Sequence, residues 1–209
     1  MLEFEQRLVS EEKRALIRRL LAERLSLRGI CRAVGVGMKW LMGFIVECYE
    51  SVPEHLNVQV PACPDNVLLY RLRAEADELQ SFVGKKENKQ WLWLAIDSHT
   101  RQALAFHVGD RSQKSARKLW NKLPAAYRQS ATFWTDGYVS YQGVIPTSQH
   151  RVVTKAFRKT NHIERLNCTL RQRVSRLVRA TLSFSKKLDN HVGAIKYFLS
   201  HYNLELARA

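Results

Sequence analysis

The sequence of 209 residues predicts an α/β fold, in which a small helical region precedes a mixed sheet flanked by helices. Three observations indicate this. Residues 1–50 carry apolar side chains at helical spacing, the middle of the chain has short strand-forming runs between turns, and the last fifty residues return to helical spacing. A chain of this length favours one main domain with an appendage over two equal domains.

Net charge narrows the classes of partner. The 34 Lys and Arg residues exceed the 19 Asp and Glu residues, so the formal charge is +15 and the pI is about 10.0. A polyanion is the leading partner class, because binding to a phosphate backbone releases counterions, although ribosomal and membrane-surface proteins share this charge. The apolar runs are too short to span a bilayer, and MLEFEQR lacks the bases of a signal peptide, so we expect a cytoplasmic location.

Residues 1–50 are predicted to form a helix-turn-helix DNA-binding region. Ser10 and Ser26 are candidate caps for the first two helices, and Gly35 and Gly37 bracket a turn before a third. Two short helices joined by a glycine turn are typical of this motif, whose helix after the turn enters a major groove. A three-helix bundle without a nucleic-acid role stays open, since the same apolar residues suit a core.

The segment 51–65 contains three prolines and is predicted to be a linker, so a second domain should span residues 66–209. That domain begins with three runs separated by the turn-forming sequences KKENK and SHTR: residues 75–84, 90–97 and 102–109. They predict an antiparallel meander. The middle run is almost wholly apolar, as expected of a strand covered on both faces.

The rest of the chain alternates helices and short strands. A helix is predicted over residues 112–123 and is stopped by Pro124, a strand over 131–137, a strand over 151–154, a long helix from about residue 161 through Val178, and a final helix over 189–202. Three meandering strands followed by this order are typical of an RNase H-like α/β domain. The four cysteines are widely spaced and form no C-x-x-C pair, which favours reduced thiols.

Three acids stand out as candidate functional residues. Asp77 lies within the first strand on the same face as Leu79, by the strand period of two. Asp136 ends the short strand before Gly137, at the edge where open α/β sheets expose ligand-binding groups. If the short strand pairs with the first, the two aspartates become neighbours. An exposed acid in EADE and an ordinary Asp-Gly turn are the structural alternatives.

Glu164 is the third acid and lies in a basic tract. Between residues 151 and 188 there are eleven Lys or Arg and only this Glu. On a helical wheel it falls on the border between the apolar stripe and the arginine-rich face, from which it can point to the sheet edge. An ion pair with Arg171 and a helix N-terminal acid are the alternatives.

The chemistry that requires three such carboxylates is phosphodiester transfer. They can hold two Mg²⁺ ions about 3.5–4 Å apart, with Mn²⁺ as a substitute, so that one ion activates the attacking oxygen and the other stabilises the leaving oxygen. Asp97, at the end of the second strand, is a rival ligand or a turn cap. His162 is an orienting residue or a surface histidine, and the aromatic rings of Trp134 and Tyr138 suit either base stacking or the core.

Four blocks of the sequence resemble the transposases of insertion element one and its bacterial relatives, over about residues 70 to 203. These blocks are ELQSFVGKKENKQWLWLAIDSHTRQALAFHVGDRS, WTDGYVSY, NHIERLNCTLRQRVSRLVRATLSFSK and HVGAIKYFLSHYN. The resemblance implies an RNase H-like domain with an Asp, Asp, Glu triad that needs Mg²⁺. Matched by motif, the triad is Asp77 in ADELQSF, Asp136 in TDGY and Glu164 in HIERLN. Relatives usually place an aromatic residue where this chain has Gln80.

The function implied is a bacterial DNA transposase that cleaves double-stranded DNA at terminal inverted repeats and joins the 3′-hydroxyl to target DNA. A homo-oligomer on DNA, near the nucleoid and without a membrane, is expected. The cations predicted to contact DNA lie in the helical region and near the triad: Arg28, Arg32, Lys39, Arg165, Arg171, Arg173 and Arg176. A structure-specific nuclease and a catalytically inactive DNA-binding repressor are the alternatives.

Overall fold

The computed structural model describes residues 9–60, 72–153, 160–177 and 185–208. Its first part consists of three helices: α1 Glu11–Leu20, α2 Leu27–Val34 and α3 Met38–Glu50. Both predicted caps form, because the Ser10 hydroxyl accepts the Lys13 N–H at 3.4 Å and the Ser26 hydroxyl accepts the Gly29 N–H at 3.0 Å. These bonds satisfy N–H groups that the first helical turns leave without partners.

A tight turn over residues 35–37 joins α2 to α3. Gly35 has a φ of 72°, the left-handed conformation that glycine adopts at a helix end without a Cβ penalty. The chain bends by 110° between the two helices, so turn length and angle are those of a helix-turn-helix pair. Within the described residues no single helix is both long and apolar enough to cross a bilayer, and only α2 and α3 counted together pass that test.

One five-stranded mixed sheet forms the centre of the rest of the chain. Its strands are β1 Arg73–Phe82, β2 Lys89–Asp97, β3 Ala103–Gly109, β4 Thr132–Thr135 and β5 His150–Val152. Their order across the sheet is β3-β2-β1-β4-β5. The β1–β2 and β2–β3 pairs are antiparallel, and the β1–β4 and β4–β5 pairs are parallel. A three-strand meander extended by short parallel strands is the RNase H-like sheet, so the predicted fold class is confirmed.

Helices cover both faces of this sheet. They are α4 Gln113–Lys122, α5 Ala125–Ser130, α6 Asn161–Arg173 and α7 Leu188–Leu206. On one face, Leu92 and Leu94 of β2 belong to the same buried cluster as residues of α6 and α7. On the other, Trp93 and Ala95 pack with residues of α4. Because β2 is buried on both sides, its apolar run follows directly from its position.

Several element boundaries differ from the prediction. The helix α6 ends at Arg173, where Val174 takes an extended conformation, and does not continue to residue 177 as predicted; Val178 lies outside the described residues. The short helix α5 was not predicted, because Pro124 was interpreted only as a stop. Proline also suits a helix start, where its missing N–H needs no partner, and Pro124 is the residue before α5.

Some predictions fall partly outside the described residues. The strand predicted over 151–154 begins one residue earlier, at His150, and residue 154 is outside the described range. The domain boundary at residue 66 also lies outside it and stays a prediction. Cys31, Cys48 and Cys168 are free thiols, whereas Cys63 is outside the described residues.

The helical region packs on α7 through a glycine. A Cβ at Gly193 would lie 2.4 Å from Cδ2 of Tyr49 on α3, far inside van der Waals contact. Nearby, the hydroxyl of Tyr197 donates to the backbone oxygen of Arg18 at 2.7 Å. The close approach of α3 to α7 therefore requires glycine at position 193.

We expect Gly193→Ala to lower the free energy of unfolding by about 1–3 kcal/mol, because the added methyl group overpacks this contact. Gly43→Ala is the matched control, since a Cβ there meets nothing within 4 Å and alanine favours the helix by up to about 1 kcal/mol. Urea denaturation of both variants checks the signs. Equal effects at the two positions would contradict the contact.

His191 of α7 is a fully buried histidine held between two serines. Its Nε2 lies 3.0 Å from Oγ of Ser81 on β1, and its Nδ1 lies 3.3 Å from Oγ of Ser185. Burial, with a smaller contribution from the Arg176 charge, lowers the pKa of His191 to about 4. The neutral ring is therefore part of the folded structure.

Acid should unfold the protein partly through His191. The His191 ring binds a proton near pH 6.5 in the unfolded chain but only near pH 4 in the folded chain. The stability that depends on the neutral ring is therefore complete above pH 6.5 and is lost as the pH falls from 6.5 to about 4, by about 1.4 kcal/mol per pH unit. In His191→Gln we expect the slope of the unfolding free energy against pH, between pH 6.5 and about 4, to decrease by about 1.4 kcal/mol per pH unit, because one proton fewer is bound on unfolding. The pKa of His107 is also lowered to about 4, so some acid sensitivity should remain.

Candidate active site

The parallel pairing of β1 with β4 brings the two predicted aspartates together. Glu75 of β1 and Trp134 of β4 are the last pair of residues in the parallel ladder between these strands. Two further residues along each strand lead to Asp77, which is still inside β1, and to Asp136, which directly follows β4. The sequence predicted that the two aspartates become neighbours if the short strand pairs with the first, and the β1–β4 register meets that condition.

Asp77 interacts electrostatically with both of the other predicted residues. Burial raises the pKa of its carboxyl group, and the negative charges of Asp136 and Glu164 raise it further. Two hydrogen bonds oppose this increase: Oδ1 accepts the Glu78 N–H at 2.8 Å, and Oδ2 accepts Nδ2 of Asn167 at 2.8 Å. The three candidate acids thus lie within one electrostatic group, with Asp77 as the most enclosed member.

Asp136 is exposed at the carboxyl end of β4. Its Oδ1 accepts the Tyr138 N–H at 3.0 Å, which closes a local turn. Between them, Gly137 has a φ of 82°, and a Cβ there would lie 2.6 Å from Cγ1 of Val152 on β5. The Asp-Gly pair therefore has a real turn function, and that turn places the carboxylate at the sheet edge.

Glu164 is exposed in the first turn of α6. Its Oε1 accepts a hydrogen bond from Oγ1 of Thr160 at 3.3 Å. Arg171 lies about two turns farther along the same helix. An acid in the first helical turn also interacts favourably with the helix dipole. Glu164 is therefore a helix N-terminal acid, as the structural alternative held, and it also interacts electrostatically with Asp77.

Glu75 was missed as a site residue by the sequence reasoning. It lies on the same face of β1 as Asp77, and its Oε2 accepts the backbone N–H groups of His162 at 3.0 Å and Ile163 at 2.9 Å. Nε2 of His162 lies 3.8 Å from Oε1 of Glu75, which is too long for a hydrogen bond and forms an ion pair only when the ring is protonated. The signal was present, because the strand period puts Glu75, Asp77 and Leu79 on one face.

Glu78 was also missed, and it points to the other face of β1. Its carboxylate is almost fully buried and forms an ion pair with Arg111 at 3.2 Å. The Arg111 guanidinium lies 4.4 Å from the Trp91 ring centroid and 3.9 Å from that of Tyr138. Burial raises the pKa of Glu78, and Asp136 and Asp77 raise it further. Tyr138 is thus a contact of Arg111 beside Asp136.

The donor set around Asp77 suits a hard divalent cation. Oδ1 of Asn167 is a buried oxygen without a hydrogen-bond partner beside Asp77, and the charges of Asp136 and Glu164 raise the pKa of Asp77. Oxygen donors and negative charge are what Mg²⁺ prefers. Among the described residues, however, no three His, Cys, Asp or Glu side chains converge as a ready-made metal centre. The residues fit Mg²⁺ by chemistry, with Asp77, Asp136 and Glu164 as the predicted ligands.

Comparison with known proteins identifies the family. Residues 71–204 match the family model described as IS1 transposase. The chain belongs to the IS1 transposase family. It is 36% identical over 131 residues to the insertion element iso-IS1n protein InsB of Shigella dysenteriae, covering 63% of this chain and 96% of that protein.

Two further likenesses accompany this match. The insertion element IS1 protein InsB of Shigella flexneri is also 36% identical over 131 residues, covering 62% of this chain and 96% of that protein. By structure, the chain is similar to one chain in the cryo-EM structure of the simian T-cell lymphotropic virus intasome in complex with PP2A regulatory subunit B56 gamma. The TM-score is 0.45, at 13% identity over 87% of this chain and 66% of that one.

Asp97 of this IS1-family chain has the hydrogen bonds of a turn cap. Its Oδ1 accepts the N–H groups of His99 at 2.8 Å and Thr100 at 2.6 Å, and its Oδ2 accepts the Tyr127 hydroxyl at 2.9 Å. The carboxylate is buried at the start of the β2–β3 turn. These bonds account for an acid at this position without a metal.

The predicted DNA-contacting cations of the IS1-family chain have different surroundings. Arg28, Arg32, Lys39 and Arg165 are exposed. Arg171 and Arg176 line a cleft with Lys86, beside the carboxyl end of β1 that also carries Gln80. Arg173 instead forms ion pairs with Glu23 at 2.8 Å and Glu205 at 3.0 Å. The charge of Arg173 is therefore balanced within the protein.

The Glu78–Arg111 pair gives a test of this side of the site. We expect Arg111→Ala to lower the free energy of unfolding by about 1–3 kcal/mol, because it leaves a buried carboxylate without its cation. Adding Glu78→Gln should recover most of that loss, since the buried charge is then removed. Urea denaturation of the single and double variants measures the coupling. Strictly additive losses would show that the two side chains do not interact.

Proposed function

We propose that this chain is a DNA transposase that hydrolyses a phosphodiester at the element ends and then joins the freed 3′-hydroxyl to target DNA. Asp77, Asp136 and Glu164 are the proposed ligands of two Mg²⁺ ions. The observation that carries the proposal is the placement of Asp77 beside Asp136 by the β1–β4 register, together with the influence of Glu164 on the pKa of Asp77. Family membership supports the same reaction class.

In this mechanism the three acids have different tasks. Bound Mg²⁺ supplies activation of the attacking oxygen and stabilisation of the leaving oxygen. Asp77 is oriented by its two hydrogen bonds, and Asp136 is presented at the exposed edge of the sheet. Glu164 is less constrained, because its hydrogen bond comes from an exposed threonine hydroxyl. Glu164 would complete the ligand set with Asp77 and Asp136.

Binding of DNA is assigned to two groups of cations. Arg28, Arg32 and Lys39 lie on the helix-turn-helix pair and are proposed to contact DNA there. Near the triad, Arg165, Arg171 and Arg176 are proposed to hold phosphates, which fixes the position of the strand without reading its sequence. Arg173 is proposed to keep its two carboxylate partners. The working complex is proposed to be a homo-oligomer on DNA.

Asp136→Asn should abolish Mg²⁺-dependent cleavage and joining, with a loss of at least roughly 10³-fold, the factor expected when several kcal/mol of transition-state stabilisation are removed. The fold should persist, because Asp136 is exposed and an asparagine oxygen can still accept the Tyr138 N–H. Asp189→Asn is the matched control, an exposed aspartate in the first turn of α7.

Strand-cleavage and strand-transfer assays on DNA carrying the element ends provide the measurement. Full activity in Asp136→Asn would show that the triad assignment is wrong. Wild-type protein that cuts without joining would be a structure-specific nuclease, and binding without cutting would indicate a repressor.

A further inference from the structure

The first turns of α6 are attached to β1 at two points, on either side of Glu164. The earlier attachment is the Glu75 carboxylate, which accepts the N–H groups of residues 162 and 163. The later one is Asn167, whose Nδ2 donates to Oδ2 of Asp77 at 2.8 Å. Both side chains are buried, at 1% exposure for Glu75 and 8% for Asn167.

The Glu75 attachment is a helix cap supplied from another element. The side chain of the N-cap residue, Thr160, accepts no hydrogen bond from an N–H group of α6. A carboxylate at a helix N-terminus satisfies free N–H groups and interacts favourably with the helix dipole. Since Glu75 lies two residues before Asp77 on the same strand face, its bonds fix where α6 starts relative to Asp77.

The Asn167 attachment fixes the rotation of the helix. Residues three apart are neighbours on a helix surface, so Asn167 and Glu164 lie on adjoining turns of one side. A helix turns by about 100° and rises 1.5 Å per residue, so a slip of one residue would carry Glu164 away from this side. Apolar burial beneath α6 is non-directional, whereas these hydrogen bonds are directional.

We propose that Glu75 and Asn167 are positioning residues, which together hold α6 on β1 so that Glu164 can reach the Mg²⁺ ions bound by Asp77. This rests on the proposed function of Glu164 as a metal ligand. Neither residue needs to touch the DNA. Glu75 acts through the backbone of α6, and Asn167 acts through the orientation of Asp77.

The test compares three variants of the full chain. Glu75→Gln replaces the charged acceptor with a neutral one, which weakens the bonds to the two α6 N–H groups and the interaction with the helix dipole, and Asn167→Ala removes the bond to Asp77. Asp97→Asn is the matched control, because Asp97 is equally buried and also accepts two backbone N–H groups, but its partners lie in the β2–β3 turn and α5. Each variant is measured for Mg²⁺ binding by calorimetry without DNA, for the Mg²⁺ concentration giving half-maximal cleavage, and for urea stability.

We expect Glu75→Gln and Asn167→Ala to weaken Mg²⁺ binding by about 10-fold or more, the effect typical of groups that orient metal ligands. The Mg²⁺ concentration for half-maximal cleavage should rise by a similar factor. Asp97→Asn should lose stability but keep the wild-type response to Mg²⁺. Should Glu75→Gln fail to fold, Asn167→Ala decides the matter, since it removes a single side-chain hydrogen bond.

Wild-type Mg²⁺ binding in both positioning variants would overturn the proposal, and so would an equal loss in Asp97→Asn. The variants Asp77→Asn and Glu164→Gln separate this failure from that of the proposed function. If those two lose Mg²⁺ binding while the positioning variants keep it, the triad stands and the positioning role is wrong. If those two keep both Mg²⁺ binding and cleavage, the proposed function itself fails.

Discussion

The structure depends on the parallel pairing of β1 with the short strand β4. β1 also pairs along its whole length with β2, so it is anchored from one side while β4 ends early on the other. Where β4 ends, the edge of β1 is open, and Asp77 lies at that opening. A register shift of one residue would exchange the faces of β1, which would bury Asp77 against α4 and turn Glu78 towards α6. The register of the sheet therefore also determines which acids face α6 and lie beside Asp136.

Four acids, Glu75, Asp77, Glu78 and Asp136, lie within or beside this pair of strands in a protein of net charge +15. The pKa values of the three acids on β1 are raised, chiefly by burial, so their ionised forms oppose folding near neutral pH. The protein compensates with local groups: helix N–H donors for Glu75, an amide for Asp77 and a guanidinium for Glu78. Burial of these ionised acids lowers the stability of the fold where negative charge is concentrated, and such strongly perturbed pKa values are common at functional sites.

Much of the fold could be predicted from local sequence. Ser10 and Ser26 are caps because hydroxyl groups suit free N–H groups, and the apolar run of β2 reflects burial on both faces. The neighbourhood of Asp77 and Asp136 could be predicted only conditionally, since the β1–β4 pairing joins distant segments. The true end of α6 could not be predicted, because Val174 and Leu177 stay buried after the helix has ended. Glu75 and Glu78 were missed because their partners, two N–H groups of α6 and Arg111, are remote in sequence, although the strand period already places Glu75 on the face of Asp77.

The helix α6 spans the distance between the sheet and the helical region. Its thirteen residues form a rod about 20 Å long, with Glu164 in the first turn and Arg173 as the last residue. Arg173 is joined to Glu23, between α1 and α2, and to Glu205 on α7. Glu75 and Asn167 connect its first turns to β1. The helix α6 is therefore a brace that is anchored at both ends, to the sheet at the end carrying Glu164 and to the helical region and α7 at the other.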